Sequence, residues 1–465
     1  MIGSDNRFDL PPKIKQKEGD SMYKTVSEQR ARIANINNAE KWNRKYLRRI
    51  RIQDYLSGQA IYGLGDYPAK VSAMPTDYDR ALIKKLAECG VDLIQVHEEW
   101  NDACRLYGAD KYNAVDKEGM KEFVRLCHEN GIKIIPYVSS GYFQKNDPDF
   151  REEFVSPDDW LFSMNYMNYC HADQDSPEWR EYIIPRTLNV MDEYGFDGIF
   201  NDNYFAHKDK PEDEKIYGDL SYNPAAEDLL CQMYSEIKKR GGIYKVHVGY
   251  NLPVPCKDHV CDYLWIGECV DSLSAGTGKD YQPYVVPCLD RHNSKDITQE
   301  MHMAYTIPYL QFPLLKIGRP IMGNNVDLPN VTYYGGDEQE FYRAVGEYMK
   351  EHPDGPYVYS LWSSIPDDPT ELDVWTKYMK LYKPMVAENS LAYIELQECD
   401  AIRSPLSKTA IASMFVNEDI YLVVSNIAKE PYTLQLNGTW RNRETGEVGD
   451  TFTIGQDRLC FLIRE

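Results

Sequence analysis

The chain has 465 residues, with 52 Lys and Arg against 73 Asp and Glu, a formal net charge of −21 at neutral pH. That length exceeds the size at which a single hydrophobic core stops growing, so a large domain with an accessory one is expected. The acidic balance repels phosphate backbones and argues against nucleic acid as a partner, and no run approaches the roughly 18 uninterrupted apolar residues of a membrane span.

Eleven cysteines, scattered and never spaced Cys-x-x-Cys, fit a reduced, cytoplasmic setting in which thiols serve as small core residues. Met1-Ile-Gly-Ser-Asp-Asn lacks the basic and apolar regions of a signal peptide. Aromatic content is high, at 36 Tyr, 8 Trp and 14 Phe. Such side chains fill a large core, and they also offer flat apolar faces with a polar tip that suit the CH faces of sugars. Position along the chain decides between these uses.

Residues 1–57 are polar and basic in patches, and the run Lys41–Arg51 reads as a helix beneath a domain or as a link to one. From 58 to 387, short β-branched or aromatic runs alternate with helical patterns. The strands are read at Gln59–Leu64, Val91–His97, Ile132–Val138, Phe196–Asp202, Tyr244–Tyr250, Tyr263–Gly267, Arg319–Asn324 and Tyr357–Trp362. Helices are read near 77–89, 116–130, 177–194, 223–240, 297–311, 338–350 and 371–384. Asp116 and Ser176-Pro177 carry N-cap signals, and Gly90, Gly131 and Gly195 stand where helices should stop. Eight strands with mostly helical crossovers predict an α/β chain built on a (β/α)₈ TIM barrel. A doubly wound sheet is the runner-up, but no Gly-x-Gly-x-x-Gly follows the first strand. Over 388–465 the helices cease. Short strands separated by turn signals such as Asn437-Gly438 predict a small C-terminal all-β sandwich.

Barrel active sites form at the C-terminal ends of the strands. The fourth strand, Gly195-Phe-Asp-Gly-Ile-Phe-Asn-Asp202, ends in a carboxylate flanked by Asn201 and Asn203. If Ile199 faces the helices, alternation turns Phe200 and Asp202 inward. Asp202 is then placed to attack or steady a developing cation; the competing reading makes it a helix cap. The sixth strand leads through Trp265 to Glu268, whose apolar approach suits a general acid, against a plain solvated glutamate. On the second strand Gln95, His97 and Glu99 point inward, followed by Trp100. On the fifth, His247 and Asn251 do so, with a hydrogen-bonded core histidine as the bland alternative for His247. Tyr137, Arg291, Asn324 and Trp362 fall at the same level. His97, Glu98, Glu99 and His247 also raise a metal site, but no His-Glu-x-x-His spacing supports one and no cofactor is expected. Two carboxylates within a rim of aromatics and amides describe a glycosidase pocket.

Gly195-Phe-Asp-Gly-Ile-Phe-Asn-Asp202 resembles the Gly-x-Asp-Gly-x-x-x-Asp fourth-strand element of glycoside hydrolases of the α-amylase and α-galactosidase type. Asp202-Asn203 is similar to the Asp-Asn pair of the latter. The resemblance implies a barrel with a C-terminal β domain, Asp202 as nucleophile and a sixth-strand acid/base at Glu268. Two positions depart: Phe200 stands where those families commonly carry Arg or Lys, and Glu268 replaces the aspartate of α-galactosidases. The expectation is a retaining glycoside hydrolase acting on a carbohydrate substrate, with Asp202 and Glu268 catalytic. His97, Glu99, Trp100, Tyr137, Asn203, His247, Asn251, Trp265, Arg291, Asn324 and Trp362 would contact the sugar. The alternatives are a non-catalytic glycan-binding barrel and a metal-assisted isomerase or lyase. Aromatic-rich loops leave a homo-oligomer open.

Overall fold

The computed structural model describes residues 26–42, 47–51, 55–65, 72–102, 109–145, 147–157, 169–202, 224–247, 260–266, 286–290, 298–319, 371–387, 390–395, 401–403 and 406–465. The first described elements are helix α1 (Val26–Trp42) and strand β1 (Leu47–Arg51). The barrel follows. Its strands are β2 (Gln59–Gly63), β3 (Leu93–Val96), β4 (Lys133–Ser139), β7 (Gly198–Asp202), β8 (Ile243–His247), β9 (Tyr263–Ile266), β10 (Val286–Asp290) and β11 (Phe312–Gly318), all parallel. They close in that order, with β11 pairing back onto β2. A two-stranded ribbon, β5 (Tyr142–Gln144) with β6 (Tyr169–His171), rises from the loop after β4.

Among the described residues, the helices between or after these strands are α2 (Asp77–Cys89), α3 (Lys117–Glu129), α4 (Pro177–Tyr194), α5 (Pro224–Lys239), α6 (Gln299–Thr306) and α7 (Glu371–Tyr382). Their starts are chemically specified. Asp116 accepts from the Gly119 amide, and Ser176 accepts from the Trp179 amide ahead of Pro177. Gly90 and Gly195 end α2 and α4 with φ of 96° and 77°, a conformation that favours glycine. Gly198 answers a different demand: a Cβ there would fall 2.0 Å from the Ile243 carbonyl oxygen, so only glycine lets β7 and β8 approach.

The first six barrel strands lie where the sequence places them. The last two do not. The seventh is Val286–Asp290 and the eighth is Phe312–Gly318, not Arg319–Asn324 and Tyr357–Trp362. Each true strand carries proline as its second residue, Pro287 and Pro313. Proline is a discouraging signal in a strand, tolerated near its beginning. The segments 320–324 and 357–362 lie outside the described residues, as does the helix read near 338–350.

The C-terminal domain holds β12 (Ser390–Glu395), β13 (Ala410–Val416), β14 (Ile420–Asn426), β15 (Tyr432–Asn442), β16 (Val448–Ile454) and β17 (Arg458–Arg464), paired antiparallel. The register of β15 against β16 shifts between Gln435 and Trp440. Leu434, Leu436, Phe452 and Ile454 from this ribbon share one apolar core with Met414, Leu422, Val424 and Leu462. Phe415, Val423 and Phe461 alternate to the other face and belong to the barrel's core. The N-terminal segment completes this domain. β1 pairs with β12, Ile36 and Ala39 of α1 enter the β-domain core, and Asn35 donates to the Asn417 and Glu418 carbonyls at 3.0 and 2.5 Å. Residues 47–51, read as part of a helical run, are therefore a strand.

Arg319, directly after the eighth strand, clamps the loop that leaves the first. Its guanidinium donates to both Asp79 carboxylate oxygens and to the Leu64, Ser72 and Met74 carbonyls. Asp79 is wholly buried, accepts from Tyr62 at 2.6 Å and closes a capping box with Thr76. Burial works to raise its pKa, but the hydrogen bonds from Arg319, Tyr62 and Thr76 hold it below the usual carboxylate value. The pair's contribution is therefore complete above about pH 3.9 and is lost as pH falls through the lower folded value. Replacing Arg319 leaves that charge buried and unpaired. Arg319→Met should lower stability at pH 7 by about 3–5 kcal/mol in chemical denaturation; an unchanged midpoint would contradict the clamp.

Candidate active site

Register brings the site together. Tyr137 on β4 lies opposite Phe200 on β7, which lies opposite Lys245 on β8, and Ser139, Asp202 and His247 form the next row toward the mouth. Trp265 on β9 follows His247 in that row. Neighbours across parallel strands point to the same side, so all of these face the interior.

Asp202 is the chemical centre of the row. The Tyr137 hydroxyl donates to its Oδ2 at 2.9 Å, and His247 Nδ1 lies 3.1 Å from its Oδ1. An ionised carboxylate only accepts, so His247 carries a proton on Nδ1. Burial acts to raise the Asp202 pKa; the hydrogen bond and charge of His247, then the Tyr137 hydroxyl, then the charge of His97 outweigh it and hold the group below its ordinary value. Asp202 is an anion at neutral pH. Its side chain is 24% exposed, whereas His247 is 10% exposed. The carboxylate thus has an open side, and its two donors are fixed behind it.

Aromatic rings wall the anion. Trp265 packs 4.8 Å from the Phe200 ring and 5.2 Å from the His247 ring. His97 crosses from the second strand to meet Tyr137 at 5.1 Å and Trp265 edge-on at 5.8 Å. One layer down, Lys245 Nζ spans the barrel to Gln59 Oε1 at 3.2 Å and sits 5.7 Å from the Phe200 ring. In this part of the barrel, Ser139 Oγ, the Gln95 amide and Trp265 Nε1 are buried and have no hydrogen-bond partner among the described residues.

The structure brings Asp202, His97, Tyr137, His247 and Trp265 into one group, with Glu99 buried just beyond His97. Trp100 is a correction. It is 1% exposed, packs edge-on against Tyr194 and Phe196, and donates from Nε1 to the Tyr137 carbonyl at 2.7 Å. The 3₁₀ turn Glu98–Trp100 folds it beneath the loop, so it anchors Tyr137 and offers no face to a sugar. Tyr137 spends its hydroxyl on Asp202. Asn201, outward-facing, holds Ser140 and Tyr244. Glu268, Asn203, Asn251, Arg291, Asn324 and Trp362 lie outside the described residues. The barrel closes through Val286–Asp290 and Phe312–Gly318, so Asn324 and Trp362 do not stand at the ends of its seventh and eighth strands. Ser139 and Lys245 escaped the sequence reading, although the alternation that turned Asp202 inward also turns them inward. Among the described residues, no group of three His, Cys, Asp or Glu side chains is arranged to hold a metal ion.

No protein-family model matches the chain, and no curated protein matches it in sequence. Solved structures do match. An α-amylase from Anoxybacillus aligns with a TM-score of 0.54 at 12% identity, over 89% of this chain and 99% of that one. The trehalose-6-phosphate hydrolase of Bacillus licheniformis gives 0.53 at 11%, over 89% and 100%. The GH36 α-galactosidase of Geobacillus stearothermophilus in complex with stachyose gives 0.51 at 12%, over 87% of this chain and 55% of that one. At such identity the likeness is one of architecture, and the chain has that architecture: a (β/α)₈ barrel followed by an all-β domain.

Proposed function

We propose that the chain is a glycoside hydrolase working by the retaining, two-carboxylate mechanism, with Asp202 as nucleophile and Glu268 as acid/base. The observation that carries this reading is the state of Asp202: ionised, partly open, and held by one donor on each oxygen at the mouth of the fourth strand. A solvated helix cap needs neither the aromatic wall nor two fixed donors.

The steps follow from that state. A carboxylate oxygen of Asp202 bonds to the anomeric carbon as the bond to the leaving oxygen breaks. Glu268 supplies the proton that the leaving oxygen takes. Glu268 then removes a proton from water, which displaces Asp202 and restores its charge. Tyr137 and His247 fix the carboxylate before attack, so little reorganisation is needed at the moment of reaction. His97 and Trp265 contribute ring surface beside the sugar. Solved structures of similar fold include an α-amylase, a trehalose-6-phosphate hydrolase and an α-galactosidase, which agrees with a glycoside as substrate. Retention needs the two carboxyl groups about 5–5.5 Å apart, whereas inversion needs about 6.5–9.5 Å.

Aryl α- and β-glycosides of the common sugars test the class. Asp202→Ala should lower turnover at least about a thousandfold, roughly 4 kcal/mol of transition-state stabilisation. Near-wild-type turnover in that variant would refute the assignment. Tyr137→Phe removes one donor from the carboxylate, so the acid limb of the kcat/KM profile should move to higher pH. A limb that stays in place would mean another group sets it.

A further inference from the structure

The geometry points to Ser139 as the residue that reads the hydroxyl on the sugar carbon next to the one attacked, so that the substrate must carry a free 2-hydroxyl. This rests on the glycosidase reading and deepens it. Ser139 ends β4, two residues beyond Tyr137, and alternation turns it inward as it does Tyr137. It pairs in register with Asp202. Ser139 is 2% exposed, and its Oγ has no hydrogen-bond partner among the described residues. Buried hydroxyls are almost always satisfied, and one left without a partner beside a reactive carboxylate is a place where a ligand supplies the missing bond.

The neighbours of Ser139 are committed elsewhere. Both Asp202 oxygens are taken by Tyr137 and His247. The backbone at this strand end is fixed as well: the Ser140 amide donates to Asn201 Oδ1 at 2.9 Å, Trp179 Nε1 donates to the Ser140 carbonyl at 3.1 Å, and Trp100 holds the Tyr137 carbonyl. Ser139 therefore offers a hydroxyl uncommitted among the described residues, on a backbone one strand spacing, about 4.8 Å, from that of Asp202. When the anomeric carbon sits on Asp202, a substituent of the adjacent carbon reaches about that far. On the β8 side the corresponding position is filled by His247, so the open partner is Ser139. Hydrogen bonds to this hydroxyl strengthen as the ring distorts toward the transition state. Ser139 thus selects against 2-deoxy and 2-O-substituted sugars.

The test is a cycle of two enzymes and two substrates: wild type and Ser139→Ala, each assayed with the aryl glycoside that wild type cleaves best and with its 2-deoxy counterpart. Intrinsic reactivity differences cancel across the cycle. We expect Ser139→Ala to lower kcat/KM about tenfold or more on the parent glycoside, to leave the 2-deoxy glycoside within about a factor of two, and to keep the melting temperature at or above wild type. Equal losses on both substrates, or no loss on either, would overturn the assignment while leaving the glycosidase reading intact. Should the alanine variant not fold, the near-isosteric Ser139→Cys gives the same comparison. A wild type that cleaves no glycoside would overturn both readings together.

Discussion

A carboxylate set among aromatic rings at the mouth of a barrel favours its neutral form, and the surroundings of Asp202 are arranged to reverse that preference. Tyr137 comes from the strand before and His247 from the strand after, each giving a hydrogen bond to a different oxygen. That arrangement exists only because β4, β7 and β8 hold one register, with Ser139, Asp202 and His247 side by side. A slip of one residue on β7 would send Asp202 outward among the helices and bring Asn201 inside. The charge state of one side chain therefore depends on the closure of the whole barrel.

The alternation along β7 divides the work residue by residue. Ile199 faces the helices, where it is fully buried, and Asn201 on the same side ties down Ser140 and Tyr244. Phe200 faces in and supports the ring layer beneath the anion, while Lys245 and Gln59 bridge the barrel below it. Arg319 does comparable work at the rim, joining the end of the eighth strand to the loop after the first. The β domain, completed by α1 and β1, packs its second face on the barrel through Phe415, Val423 and Phe461.

Much of this was legible in the chain because local signals agreed with the global arrangement. The run Gly195–Asp202 combines a helix-stopping glycine, the β-branched Ile199 and a polar terminus, Ile132–Val138 is a β-branched run behind Gly131, and parity alone turned Asp202, His97 and His247 inward. Three features hid from such reasoning. β11 follows a helix end formed by Leu310 in place of the glycines that precede β3, β4 and β7, and it holds Lys316 in its interior; β10 and β11 also carry an early proline, a signal that β4 overcomes at Pro136. β1 is rich in arginine, and its partner strand lies more than three hundred positions away, so nothing local marks it. Trp100 stands one turn past a strand end, where sequence position suggests a sugar platform; only the 3₁₀ turn and its contacts with Tyr194 and Phe196 reveal a brace. Ser139 lacks any signal but parity, since its meaning comes from a bond it does not make.

The central claim is that Asp202 forms the covalent bond to the sugar. The most direct measurement is to trap the enzyme with an activated fluoroglycoside that accumulates the glycosyl intermediate, digest it, and locate the added mass. The account predicts one sugar per chain, on the peptide containing Asp202. A label on a different carboxylate, or turnover that yields the inverted anomer with no label, would contradict it.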